Sequence, residues 1–101
     1  MSASERRGKT SVLVVSPTRE LCQQIYEEGK ILCKFVPLTL QCVYGGTKIN
    51  KDLQKFKSSY PDVLIATPGR LNDHLENYTL RTAMDNGLRV LIFDEADQVG
   101  R

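Results

Sequence analysis

Val90-Leu91-Ile92-Phe93 runs straight into Asp94-Glu95-Ala96-Asp97, and this junction constrains the fold more than any other stretch of the chain. Four large apolar side chains in succession show no alternation, so neither face of a strand built from them can be given to water. The run predicts a strand of a parallel sheet, covered on both faces. The acids begin where the strand should end. In an open parallel sheet the carboxyl ends of the strands border the crevice where ligands bind. Asp94 and Glu95 point in different directions there, so one can hold a metal while the other holds a water. An apolar run ending in acids is common by itself, and the rest of the chain decides its meaning.

Three further strands precede it. Ser11 to Val15, Leu38 to Tyr44 and Val63 to Ala66 each read as a strand, and Leu88 to Phe93 is the fourth. Helical spacing fills the gaps. After Ser16-Pro17-Thr18-Arg19, where proline suits the first turn and Ser16 or Thr18 can cap, Leu21, Ile25, Leu32 and Phe35 share a face with Cys22 beside them. Gln23, Glu27, Glu28 and Lys34 take the other face, Gly29 weakens the helix by up to ~1 kcal/mol, and Pro37 stops it. Ile49, Leu53 and Phe56 then mark a short amphipathic helix. Its Lys48, Lys51, Lys55 and Lys57 read as a solvated face rather than an RNA contact. Leu71, Leu75 and Tyr78 face inward from a third helix. Asn77 to Gly87 reads as a looser connection with Leu80 and Met84 as satellite core. Strands alternating with helices predict an α/β fold, a mostly parallel sheet with flanking helices and right-handed crossovers.

The totals exclude several classes. With 101 residues the chain is one domain or a piece of one. A net charge of +2 is too small to argue for nucleic acid without a local concentration of charge. No apolar run approaches the ~20 residues that span a bilayer, so no membrane partner is expected. Met1 to Lys9 lacks the apolar core of a secretory signal, and residues 1–10 read as a flexible lead-in. Cys22, Cys33 and Cys42 are odd in number and lack C-x-x-C spacing, which predicts reduced thiols in an intracellular protein, its compartment open. His74 reads as a surface or boundary residue. Gly8-Lys9-Thr10 has the ending of a phosphate-binding P-loop, but Ala3 stands where that loop needs a glycine, no strand precedes it and β-branched residues follow.

In a parallel sheet all strands end on one side. Ser16-Pro17-Thr18-Arg19, Gly45-Gly46, Thr67-Pro68-Gly69-Arg70 and Asp94-Glu95 are therefore expected on one rim. The first and third share a design: a helix start with free backbone N–H groups, a hydroxyl and an arginine. Helix starts attract phosphate, and the guanidinium fork matches its geometry. Gly45-Gly46 has no side chains to keep a backbone away. Each corner alone is an efficient strand-to-helix turn. Together, with the diglycine between them and acids at the end, they suggest a track for a polyphosphate strand.

Pro17-Thr18-Arg19-Glu20-Leu21, Gly45-Gly46, Thr67-Pro68-Gly69-Arg70 and Asp94-Glu95-Ala96-Asp97 resemble four successive motifs of the DEAD-box RNA helicases, in their order and with compatible spacing. The resemblance runs from Ser11 to Asp97. It implies part of the first of two RecA-like domains of P-loop NTPase type, over residues 11–101. By that likeness, Pro17, Thr18, Arg19, Gly45, Gly46, Thr67, Pro68, Gly69 and Arg70 would contact the sugar-phosphate backbone of single-stranded RNA, with little sequence preference. Asp94 would hold Mg²⁺ through water, as in a Walker B site, and Glu95 would position and activate the hydrolytic water. Asp97 would couple the ATP site to the second RecA-like domain.

Departures from the family pattern matter as much. The P-loop, the adenine-reading segment before it, the Ser-Ala-Thr motif after the acids and the second domain are not found in these 101 residues. The chain is thus expected to be a piece of an ATP-dependent RNA helicase that by itself neither hydrolyses ATP nor unwinds RNA. It is also expected to leave apolar faces exposed and to associate or fold poorly. The alternative is a non-catalytic module that binds RNA or a partner.

Overall fold

A computed structural model of the chain describes residues 9–77 and 80–93. Four strands form one sheet: β1 (Val12–Val15), β2 (Leu40–Val43), β3 (Val63–Ala66) and β4 (Val90–Phe93), in the order β2-β3-β1-β4. Every neighbouring pair is parallel. Between the strands lie α1 (Arg19–Leu32), α2 (Ile49–Ser58), α3 (Pro68–Asn77) and α4 (Leu80–Gly87).

The two-residue period of a strand divides the core. Leu13, Val15, Val43, Leu64 and Ala66 look to one side, where Phe56 of α2, Leu71 and Leu75 of α3, and Leu80 and Met84 of α4 cover them. Val12, Val14, Leu40, Cys42 and Ile65 look to the other, covered by Cys22, Ile25 and Tyr26 of α1. The placement follows from handedness. The chain moves one way across the sheet from β1 to β2 through α1, and the opposite way from β2 to β3 and from β3 to β4. With one crossover hand throughout, opposite moves put their helices on opposite faces.

Local chemistry sets α1. The N–H of Leu21 donates to Thr18 Oγ1 at 3.2 Å, an N-cap with extended backbone at φ −127°. Such a cap contributes about 1 kcal/mol. Gly29 is a contact point more than a weak spot. A Cβ there would lie 2.8 Å from Leu40 Cδ2, so the missing side chain lets α1 lie close against β2. Leu40 is the first residue of β2, so the last turn of α1 overhangs the strand. That overturns two expectations: Leu32 is 68% and Phe35 82% exposed, and the helix ends at Leu32, short of Pro37.

Three further readings are corrected. The segment up to Gly87 is not loose: Leu80–Gly87 is helical, and Leu80, Ala83 and Met84, at i, i+3 and i+4, are buried. His74 is fully buried, not a surface residue. Finally, β4 is not covered on both faces. Among the described residues it pairs with β1 alone, at the end of the sheet order, and Val90, Leu91, Ile92 and Phe93 are all exposed. The expectation for Tyr78 lies outside the described residues.

Thr10 is buried and its N–H donates to the Ala83 carbonyl at 3.4 Å. Lys9 and Thr10 thus lead into β1 against α4, not into a helix as a P-loop requires. All three cysteines are free thiols. Cys22 is buried; the Cys42 thiol is pushed well above the ordinary range, first by its hydrogen bond with Cys22 and then by burial. Among the described residues no helix is long and apolar enough to cross a membrane.

Candidate nucleic-acid interface

Register aligns the strand ends. Val43 pairs with Ala66, Ala66 with Val15, and Val15 with Phe93. The residues that follow, Tyr44-Gly45-Gly46, Thr67 to Arg70 and Ser16 to Arg19, therefore leave the sheet along one rim in that spatial order. Asp94 is bonded to Phe93; Asp94, Glu95 and Asp97 lie outside the described residues.

The rim is knitted by backbone bonds. The Ser16 N–H donates to the Ala66 carbonyl at 3.0 Å, and the Thr67 N–H to the Val43 carbonyl at 3.2 Å. Thr67 opens α3, accepting from the Leu71 N–H at 3.0 Å, with Pro68 and Gly69 exposed in the first turn. Between Thr67, Gly69 and Arg70 on one side and Gly45, Gly46 and Thr47 on the other lies an open depression of about 760 Å³, with Ile49, Asn72 and Asp73 completing its lining.

The two arginines have different surroundings. Arg19 is exposed, with its guanidinium carbon 5.3 Å from the centroid of the Tyr44 ring. Gln23 Nε2 donates to the Tyr44 hydroxyl at 3.0 Å and helps fix that ring. Gly46 has φ +92°, and a Cβ on it would come 3.1 Å from Arg19 Nη1. Arg19 thus stands directly beside the diglycine, although the two are far apart in sequence.

Arg70 is buried. Its Nη1 donates to Asp52 Oδ2 at 3.0 Å, and its Nη2 donates to the Thr47 carbonyl and lies 3.5 Å from Thr47 Oγ1. His74 Nε2 lies 2.9 Å from the same Asp52 oxygen. A carboxylate oxygen accepts, so that ring nitrogen carries the proton between them. The Phe56 ring packs edge-on against His74, with centroids 5.1 Å apart.

Asp52, Thr47 and Tyr44 are not among the residues the sequence marks, and His74 is expected there at the surface, though Asp52 and His74 each carry a signal. Asp52 sits on the apolar stripe of α2, at i+3 from Ile49 and i−4 from Phe56, and an acid on a buried stripe needs a partner. His74 lies one turn beyond Arg70, on the same helical face. Thr47 and Tyr44 left none, because their roles come from contacts with other elements. The described residues contain no group of three or more potential metal ligands.

Comparison with known proteins agrees with this geometry. The family model for DEAD/DEAH box helicases matches residues 1–101. DEAD-box ATP-dependent RNA helicase 26 of Oryza sativa subsp. japonica is 40% identical over 100 residues, covering 98% of this chain and 19% of that protein. DEAD-box ATP-dependent RNA helicase 25 of Arabidopsis thaliana is 41% identical over 99 residues, covering 97% of this chain and 18% of the relative. Among solved structures, the yeast DEAD-box splicing factor Prp28 superposes with a TM-score of 0.75 at 32% identity, over 95% of this chain and 22% of that one. The chain therefore spans about a fifth of the length of these proteins, and its sheet matches the RecA-like domain of Prp28. It belongs to the DEAD/DEAH box helicase family.

Proposed function

We propose that this chain forms part of the RNA-gripping rim of an ATP-dependent RNA helicase. Single-stranded RNA passes over Gly45-Gly46, the Thr67-Pro68-Gly69-Arg70 corner and the Pro17-Thr18-Arg19 corner, held by its sugar-phosphate backbone. The observation that carries this reading is the exposed Arg19 guanidinium standing beside Gly46 on a rim where three strand ends are in register. There a cation, a side-chain-free approach and helix-start N–H groups meet. Contacts of this kind position a strand without reading its sequence. The family supports this reading over a non-catalytic module.

In the whole protein ATP hydrolysis would be coupled to duplex unwinding. Asp94 and Glu95 supply carboxylate oxygens, the donors Mg²⁺ takes, so the donor set fits. Asp94 would hold the ion through water, Glu95 would position the hydrolytic water, and Asp97 would link this domain to a second RecA-like domain. ATP also needs a cradle of backbone N–H groups for its phosphates. Lys9-Thr10 leads into a strand, so the described residues do not form that cradle. A polypeptide of these 101 residues is expected to show no ATP turnover.

The test is fluorescence anisotropy of a labelled oligouridine across a salt series. Binding is expected to weaken with salt, and Arg19→Ala is expected to lower the log–log slope by about 0.7, the value of one single-strand phosphate contact. No RNA binding at low salt, or Arg19→Ala leaving affinity and slope untouched, would sink the reading.

A further inference from the structure

We propose that Arg70 is a positioning residue of the RNA track and not one of its phosphate contacts, and that Asp52 and His74 position it. The inference rests on the RNA reading above for its purpose, but the geometry is independent of it.

Gly46 adopts a backbone conformation at φ +92°. A diglycine loses much freedom when ordered, so a loop of defined shape needs ties. One is local: Thr47 Oγ1 donates to the Tyr44 carbonyl at 3.2 Å. The other crosses from α3, where Arg70 Nη2 donates to the Thr47 carbonyl. The guanidinium is itself held at the far side by Asp52 Oδ2, 3.0 Å from Nη1. Asp52 is fixed in turn by His74 at 2.9 Å. The side chains of Arg70, Asp52 and His74 are 6%, 9% and 0% exposed. A guanidinium so enclosed, with its charge answered by a carboxylate, has little to offer a phosphate arriving from solvent. Its fork joins two elements: the loop after β2 and the first turn of α3. Those elements are the two walls of the depression in the rim. The brace sets the distance between the walls and leaves Arg19 as the charged contact.

Asp52→Asn separates the two roles by sign. It keeps the charge of Arg70 and removes the negative charge that answers it. If Arg70 positions the loop, binding of labelled oligouridine falls by about tenfold, equivalent to about 1.4 kcal/mol, with the salt slope unchanged. If Arg70 contacts phosphate, the freed guanidinium tightens binding and steepens the slope. Arg70→Lys is the second variant. It retains charge but not the fork, so positioning predicts a loss like that of Asp52→Asn, and a phosphate contact predicts near-complete rescue. Amide hydrogen exchange of Gly46, Thr47 and Lys48, measured without RNA, is expected to quicken in both variants. Unchanged exchange, tighter binding by Asp52→Asn, or rescue by Arg70→Lys would each overturn the brace. Faster exchange in a chain that binds no RNA would leave the brace standing and remove the RNA reading instead.

Discussion

Arg70 and Asp52 form an ion pair at 3.0 Å between the first turn of α3 and the first turn of α2, with both side chains more than nine-tenths buried. Buried pairs of this kind are costly to break singly, because the abandoned charge has no water to turn to. Asp52→Ala removes the carboxylate that both Arg70 and His74 contact. It is expected to lower unfolding free energy by about 3–5 kcal/mol in urea denaturation. A loss below about 1 kcal/mol, the value of an exposed pair, would show that the network contributes no more than a surface contact.

Gly45 and Gly46 are neighbours with different tolerances. A Cβ at Gly45 meets nothing within 4 Å, whereas Gly46 has φ +92° and Arg19 Nη1 at 3.1 Å. Gly46→Ala is expected to cost about 1–2 kcal/mol, the penalty for a side chain at positive φ. Gly45→Ala should lie within about 0.5 kcal/mol of the unsubstituted chain. Paired thermal melts check the difference, and equal effects would remove the special status of Gly46.

Cys42 shares a hydrogen bond with Cys22, and this, together with burial, raises its thiol above the ordinary range. The thiolate is the nucleophile, so Cys42 is expected to alkylate more slowly than Cys33, which lies in the turn after α1 and outside this pair. The folded state also binds the proton more tightly than the unfolded one. This contribution is therefore complete below the ordinary thiol value near about 8.5 and is lost as pH rises beyond it. Mass-spectrometric alkylation rates from neutral to alkaline pH test both points, and Cys42 reacting as fast as Cys33 would refute them.

The edge of the sheet carries the last prediction. Val90, Leu91, Ile92 and Phe93 are 45%, 50%, 45% and 63% exposed on an edge strand. Exposed apolar edges template pairing with other chains. The 101-residue chain is expected to self-associate with rising concentration in sedimentation velocity. Leu91→Lys with Phe93→Lys should shift it towards monomer, with little change in the melting of the rest. A chain monomeric at every accessible concentration would show that this edge is harmless.

The amino-acid order alone determined the parallel α/β layering and the shared rim. Unbroken apolar runs at Val12–Val15, Val63–Ala66 and Val90–Phe93 call for a parallel sheet with helices between its strands, and the hydroxyl, proline and arginine after the first two open helices. Val63–Ala66 matches its expected bounds because Pro61-Asp62 stands before it and Thr67-Pro68 after it. Tertiary structure decided what depends on neighbours distant in sequence. Whether an apolar strand is covered depends on its place in the sheet, and β4 falls at the end. Whether a helix face is buried depends on how far the strand beneath it extends, so Leu32 overhangs, and Phe35 lies in the turn beyond the helix. His74 and Arg70 look like surface residues until Asp52, from another helix, gives them a reason to be inside. Burying polar groups is favourable only when partners meet at hydrogen-bonding distance, and that meeting is a property of the fold.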